Sequence, residues 1–174
     1  MSDTAPWSVP VKAADAARGL TLDLEADAGA RTRLARMFNL QAMDGFTAEA
    51  RFKPWLDGLR LDAKWKAKVV YMCGLSLDPY PAALSGVFTL HLLPEGSPNA
   101  PADEPETLGD PSAEDPPELY ADEVVDVGDL LAQHLSVELD PFPRKPGATF
   151  QAPEETPEPS PFAALGKLAL KRED

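Results

Sequence analysis

The chain has 174 residues and a formal net charge of −13, with 16 Lys and Arg set against 29 Asp and Glu. Its single cysteine excludes an intrachain disulfide and fits a reducing compartment, and no apolar run approaches the ~18–20 residues that span a bilayer. The charge is uneven: residues 1–93 hold 11 Lys/Arg against 10 Asp/Glu and residues 94–174 hold 5 against 19, with no Lys or Arg from Pro94 to Pro143. Such a C-terminal half is poorly suited to grip a phosphate backbone, which needs clustered cations.

The first residues lack a basic start followed by an apolar core, so a cytoplasmic protein is expected. Trp7 to Val11 reads as a short edge strand, because Pro10 has no N–H to donate and could not sit in a central one. Leu20 to Leu24 alternates apolar and polar residues and predicts a strand. Asp27 is placed to cap a helix running to about Asn39, with Ala30, Leu34, Met37 and Phe38 on its apolar side. Gly45 closes the connection, Phe46 to Phe52 alternates again, and Pro54 and Gly58 mark a break.

Leu59 to Met72 is the clearest strand. Leu61, Ala63, Trp65, Ala67, Val69 and Tyr71 point one way, and Asp62, Lys64, Lys66, Lys68 and Val70 the other. Burying Trp65 contributes roughly 2–3 kcal/mol from its apolar area. A turn containing Cys73 follows, and Gly86 to Leu93 predicts a further strand with Val87, Thr89, His91 and Leu93 opposite Phe88, Leu90 and Leu92.

Residues 94–118 contain seven prolines among many acids and show no periodicity, which predicts a disordered acidic loop. Asp126 then caps a helix over Val127 to Glu138, whose stripe is Val127, Leu130, Leu131, His134 and Leu135. Residues 144–160 are again Pro-rich, and Pro161 to Lys171 predicts a short helix or a docking motif. The expected fold is α+β: a mainly antiparallel sheet with two packed helices, a long acidic loop and a partly ordered C-terminal tail. The ordered core covers about 7–93 and 119–147 of one domain spanning 1–174, with the loop at about 94–118 and the tail at about 148–174.

One pentapeptide pattern occurs twice, as Leu77-Asp78-Pro79-Tyr80-Pro81 and Leu139-Asp140-Pro141-Phe142-Pro143. Flanking prolines hold each as an extended corner. In the contexts "YMCGLSLDPYPAALSGVFTLHLLPEG" and "VVDVGDLLAQHLSVELDPFPRKPGA", followed by a terminal "PFAALGKLAL", the chain resembles the YceD family, also called DUF177. The resemblance implies a non-enzymatic role in accumulation of large-subunit (23S) ribosomal RNA. It also implies that Cys73 matches the first cysteine of a Cys-x-x-Cys, that Ser76 stands where the second would be, and that Pro79 and Tyr80 match the following Pro-aromatic pair. A further cysteine expected after the later loop, which carries Pro141, Phe142 and Pro143, is missing around Arg144 to Gly147. A structural zinc site needs four Cys or His ligands, so the family's metal site is expected to be lost here and no cofactor is expected. The two proline-aromatic corners are expected to lie side by side, with Tyr80 and Phe142 packing on each other or against Cys73 and Leu139.

No catalytic residue is expected. Nucleophilic catalysis at Cys73 needs an oriented base, and neither His91 nor His134 sits in a recognisable signature. Cys73 reads as a small apolar core thiol at a strand end, and His134 as a half-buried packing residue. The strongest cationic feature is the row Lys64, Lys66 and Lys68, with Arg51 and Lys53 as extensions and Arg31, Arg33 and Arg36 as a widening if their helix lies beside it. Side chains two apart on a strand stand about 7 Å apart, close to phosphate spacing. That row reads either as a contact for pre-ribosomal RNA or as a solvated sheet face. The expected partners are pre-ribosomal large-subunit RNA or a basic ribosomal protein, with no membrane. The alternatives are an acidic protein-binding adaptor without RNA contact and a small redox or metal protein built on Cys73.

Overall fold

The computed structural model describes residues 5–100 and 116–149. It is an α+β fold whose elements run β1 (Pro10–Lys12), α1 (Ala13–Ala16), β2 (Thr21–Glu25), α2 (Ala28–Met37), β3 (Ala42–Trp55), β4 (Gly58–Met72), β5 (Pro79–Pro94), β6 (Glu118–Tyr120), β7 (Val124–Asp126) and α3 (Val127–Glu138). Five strands form one sheet in the order β2-β3-β4-β5-β6, antiparallel throughout except for the parallel β5–β6 pair, and β1 pairs antiparallel with β7 in a second, two-stranded sheet.

The long antiparallel strands β3, β4 and β5 form the body of the molecule. On β4 the alternation is complete: Leu61, Ala63, Trp65, Ala67, Val69 and Tyr71 are buried, and Lys64, Lys66 and Lys68 are exposed. Phe46, Ala48, Ala50 and Phe52 of β3 share the buried side, as do Phe88, Leu90 and Leu92 of β5. Trp7 lies 4.9 Å from Phe46, and Phe46 meets Trp65 edge-on at 6.0 Å, so three large rings run through the core. Gly86 is the residue opposite Trp65 in register. A Cβ there would stand 2.7 Å from the indole, so this cross-strand position admits the ring only because it has no side chain.

The helices cover the same side of the sheet. In α2, Asp27 Oδ1 accepts from Ala30 N–H at 2.7 Å and caps the first turn, and Ala30, Leu34 and Ala35 are buried. Met37, expected on that apolar side, is 63% exposed instead. In α3 the stripe Val127, Leu130, Leu131 and Leu135 is buried, and the His134 ring stacks flat on Phe88 at 3.6 Å. Asp126 caps α3 by accepting from Asp129 N–H at 3.2 Å and also accepts from Val9 N–H at 2.8 Å. One carboxylate therefore pins the N-terminal segment to the last helix. Gly128 sits beneath that crossing, where a Cβ would come 2.5 Å from the Trp7 carbonyl.

Several expected boundaries need correction. β3 does not break at Pro54 but runs to Trp55, and β2 has already ended opposite Arg51, so Pro54 stands on an unpaired edge where its missing N–H is tolerated. Gly45 lies inside β3, beside a bulge that leaves Asp44 as the extra residue. The first proline-aromatic motif is not a corner: Pro79, Tyr80 and Pro81 begin β5, paired with Met72, Tyr71 and Val70. Among the described residues no strand pairs with the other side of β5 there, since β6 joins only at Leu92 to Pro94. The N-terminal strand is shorter than expected, and α1, β6 and β7 are additional short elements.

The expected acidic loop is held at both ends. Ser97 and Asn99 both donate to Asp57 Oδ1 in the β3–β4 turn, at 3.0 and 2.9 Å, and Glu118 already belongs to β6. Its centre, residues 101–115, lies outside the described residues, as does the predicted C-terminal helix or docking motif.

Candidate nucleic-acid interface

With the helices packed on one side, no described residue covers the opposite side of β2–β5, and the strand registers set its composition row by row. One row across the sheet reads Asp23, Glu49, Lys64 and Val87, the next Glu25, Thr47, Lys66 and Ser85, and the next Gly45, Lys68 and Ala83. The β2 edge is therefore acidic, the centre basic and β5 uncharged. Two shallow depressions of about 520 and 400 Å³ mark this surface, the first between Asp23, Glu25, Lys64 and Lys66, the second between Arg51, Lys53, Asp62 and Thr89.

Within that gradient the expected cations divide into two groups. Lys64, Lys66 and Lys68 form no ion pair among the described residues. Lys66 and Lys68 face Thr47, Ser85, Gly45 and Ala83, so no acid stands directly across from either. Arg51 pairs with Glu49 and Lys53 pairs with Asp62 at 3.2 Å, so these two do not extend the row as free charges. Asp62 also accepts from Arg60 Nε and Thr89 Oγ1, both at 2.9 Å. Partial burial pushes its carboxyl up, but the bonds from Arg60, Thr89 and Lys53 outweigh this and lower its pKa to about 2. The carboxylate therefore stays ionised and absorbs cationic charge at the β3–β4 end. Arg31 and Arg33 are used elsewhere, donating to the carbonyls of Ala26 at 2.6 Å and Pro6 at 2.8 Å, and α2 packs on the covered side, so the arginine group does not widen the lysine row.

An aromatic pair at the same end of this face was not foreseen. Trp55 stacks on His91 at 4.2 Å with ring planes 23° apart. The available signal was parity, since Trp55 continues the outward series Arg51 and Lys53 and His91 continues Val87 and Thr89. The break expected at Pro54 hid that series.

The cysteine loop and the later proline loop meet, as expected, but through different atoms. Gly74 N–H donates to the Pro143 carbonyl at 2.9 Å, Asp140 N–H donates to the Tyr71 hydroxyl at 3.2 Å, and Lys145 Nζ approaches Asp78 at 3.4 Å. Phe142 does not pack on Tyr80. It is 79% exposed, and Tyr80 lies instead against Tyr71 at 5.8 Å. Burial foremost, then Asp140, raises the Tyr80 pKa.

Cys73 is fully buried at this junction, and its Sγ accepts from the backbone N–H groups of Ser76 at 3.5 Å and Lys145 at 3.3 Å. The Ser76 hydroxyl, its amide and the Lys145 amide together lower the thiol pKa to about 6. Ser76 and Lys145 occupy the neighbourhood where the resemblance expects metal-binding cysteines, and both direct hydrogen-bond donors at the sulfur. Among the described residues no three His, Cys, Asp or Glu converge. This donor set does not fit a four-ligand zinc centre.

Fold and surface together define a small α+β protein with one packed sheet face and one open, locally basic face. The family model described as "Large ribosomal RNA subunit accumulation protein YceD" matches residues 61–169, more than half of the chain, and the chain belongs to that family. No curated protein and no solved structure matched it. The matched region begins within β4 and includes the lysine row and both proline-aromatic motifs, whereas Arg51, Lys53 and Trp55 precede it. The family's description ties it to accumulation of large-subunit ribosomal RNA and names no reaction. No helix among the described residues is long and apolar enough to cross a membrane.

Proposed function

We propose that this protein supports large-subunit ribosomal RNA accumulation without catalysing a reaction, by holding precursor RNA against the open face of its sheet. The observation that carries this reading is the row Lys64, Lys66 and Lys68, exposed, about 7 Å apart and facing the uncharged Val87, Ser85 and Ala83 on β5. Three such contacts give weak binding that depends strongly on salt. The acidic β2 edge repels phosphate and favours the β4–β5 side for the RNA.

Changing Lys64, Lys66 and Lys68 together to Glu tests it. The expected result is loss of association with large-subunit precursor RNA in a protein whose circular dichroism and melting are preserved, since those side chains leave the core untouched. Each lost phosphate contact also lowers the salt slope by about 0.7 for a single strand. A folded triple variant that still binds precursor RNA overturns this mechanism and favours an acidic adaptor that binds protein alone.

The same reading holds that the Cys73 junction works without metal. Cys73→Ser leaves RNA association intact, and elemental analysis of the purified protein finds no stoichiometric zinc. About one zinc per chain would overturn this, because it requires ligands beyond the single thiol.

A further inference from the structure

The open face ends in a feature that phosphate contacts leave unused. Trp55 and His91 stack across the sheet, with β4 between their strands and Gly58 as the β4 residue in register with Trp55. Around them stand Lys53 and Arg60, in register with each other, and Arg60 is also in register with His91. Leu56, in the adjoining turn, is 63% exposed. Both rings are only half-buried, whereas the other two tryptophans, Trp7 and Trp65, are 6% and 3% exposed within the core.

An aromatic pair on the solvent side of a sheet, flanked by two cations that share the single counter-ion Asp62, has the composition of a surface that stacks unpaired bases. Among the described residues the rest of this face offers no comparable group: its outward β5 positions are Ala83, Ser85, Val87 and Thr89. Along β4, Arg60 stands four, six and eight residues from Lys64, Lys66 and Lys68, about 13, 20 and 27 Å at the rise of an extended strand. One strip of β4 therefore joins an aromatic end to a cationic end over the length of a few nucleotides.

We propose that Trp55 and His91 form a base-stacking platform for single-stranded RNA, placed so that nucleotides adjoining the stacked base run along Lys64, Lys66 and Lys68. This rests on the RNA reading above and adds to it the recognition of unpaired bases. Trp55 lies before the region that the family model matches, so the platform is assigned from this chain's own geometry.

The test titrates the full chain with an adenine-containing single-stranded RNA of about ten nucleotides, within single-strand site sizes, and with an abasic strand of equal length. Wild-type tryptophan emission falls on binding the RNA, because Trp55 is the only indole within reach of a ligand. Trp55→Ala weakens binding of the RNA by about tenfold, within the range for one stacked base, and leaves the salt slope unchanged. The abasic strand binds wild-type protein more weakly by a similar factor and loses nothing further on Trp55→Ala. His91→Ala produces a smaller loss in the same direction. Equal binding of the base-bearing and abasic strands by wild-type protein overturns the platform while leaving the phosphate contacts standing. Failure of wild-type protein to bind either strand overturns both readings. If Trp55→Ala does not fold, the wild-type emission and the abasic comparison decide the matter alone.

Discussion

β4 presents two surfaces made from alternate residues of one segment, and they carry different burdens. Leu61, Ala63, Trp65, Ala67, Val69 and Tyr71 are at most 5% exposed and touch the rings and helices that hold the fold. Lys64, Lys66 and Lys68 point to solvent and form no ion pair among the described residues. Removing apolar area from the first set costs stability, because a cavity opens in a close-packed interior. The second set is free to be chosen for what it contacts. Mutations on adjacent residues should therefore separate stability from binding.

The sharpest way to break that comparison is Trp65→Ala against Lys66→Ala. Loss of the indole should lower stability by about 3–5 kcal/mol, as for other buried Trp or Phe truncations. The lysine substitution should stay within about 0.5 kcal/mol, as expected for a surface position without a special role. Urea denaturation of both variants measures the difference. A comparable loss in the two would show that the open face is structural.

Gly86→Ala probes the packed side by adding an atom. The new Cβ meets the Trp65 ring at 2.7 Å. Either the indole or β5 must shift, and overpacking of this kind costs about 1–3 kcal/mol. Denaturant midpoints report it, and a neutral outcome would mean that the ring has room to move within the core.

Acidity sharpens the comparison further, because the two surfaces titrate in different windows. On the packed side, burial lowers the His134 pKa below its usual 6.5, outweighing the opposite pull of Glu118 and Glu138. Its contribution to stability is fully present above about 6.5 and is lost as pH falls through the folded value. On the open side, Asp62 falls from 3.8 to about 2, so its contribution persists to lower pH and disappears only between those two values. Melting followed from pH 7 to 5 should therefore show a decline that His134→Phe reduces and Asp62→Asn leaves unchanged. The reverse assignment would show that the stack on Phe88 does not exclude water.

How far the residues announced this arrangement depended on the kind of signal. Period-two alternation in β4 made one strand and its two faces legible, and Asp27 and Asp126 marked both longer helices through their caps. The ends of β3 and β5 were obscured because Pro54, Pro79 and Pro81 look like breaks, and a proline is tolerated where its N–H side meets no neighbouring strand. Which edges are open is a property of the assembled sheet. The short pairings β1–β7 and β5–β6 carry too few residues for a pattern. The lysine row was visible as a row, but the pairing of Arg51 with Glu49 and of Lys53 with Asp62 emerges only from cross-strand register. The same holds for the stack of Trp55 on His91, residues far apart in the chain that are joined across β4.

The smallest effect is expected from residues 101–115, which lie outside the described residues. Residues 101–115 contain Leu108 as their only large apolar side chain, alongside three prolines at 101, 105 and 111 and six acids. A segment of that composition has little apolar area to contribute to a core. Both of its flanks are secured without it. On the entering side, Ser97 and Asn99 bind Asp57. On the leaving side, Glu118 to Tyr120 pair with Leu92 to Pro94, and Glu95 N–H donates to the Tyr120 carbonyl at 3.0 Å. Replacing residues 102–114 with a short Gly-Ser linker should therefore change stability by well under 1 kcal/mol, since halving a loop alters closure entropy by only about 0.6 kcal/mol. The deletion must stop short of Ser97 and Glu118, because those anchors belong to the fold. It also removes five acids, so RNA binding at low salt should strengthen slightly as long-range repulsion falls, and the gain should vanish at higher ionic strength. Melting and a salt titration of the same variant measure both effects. A large drop in melting temperature would place this segment with the packed side of the molecule rather than beyond it.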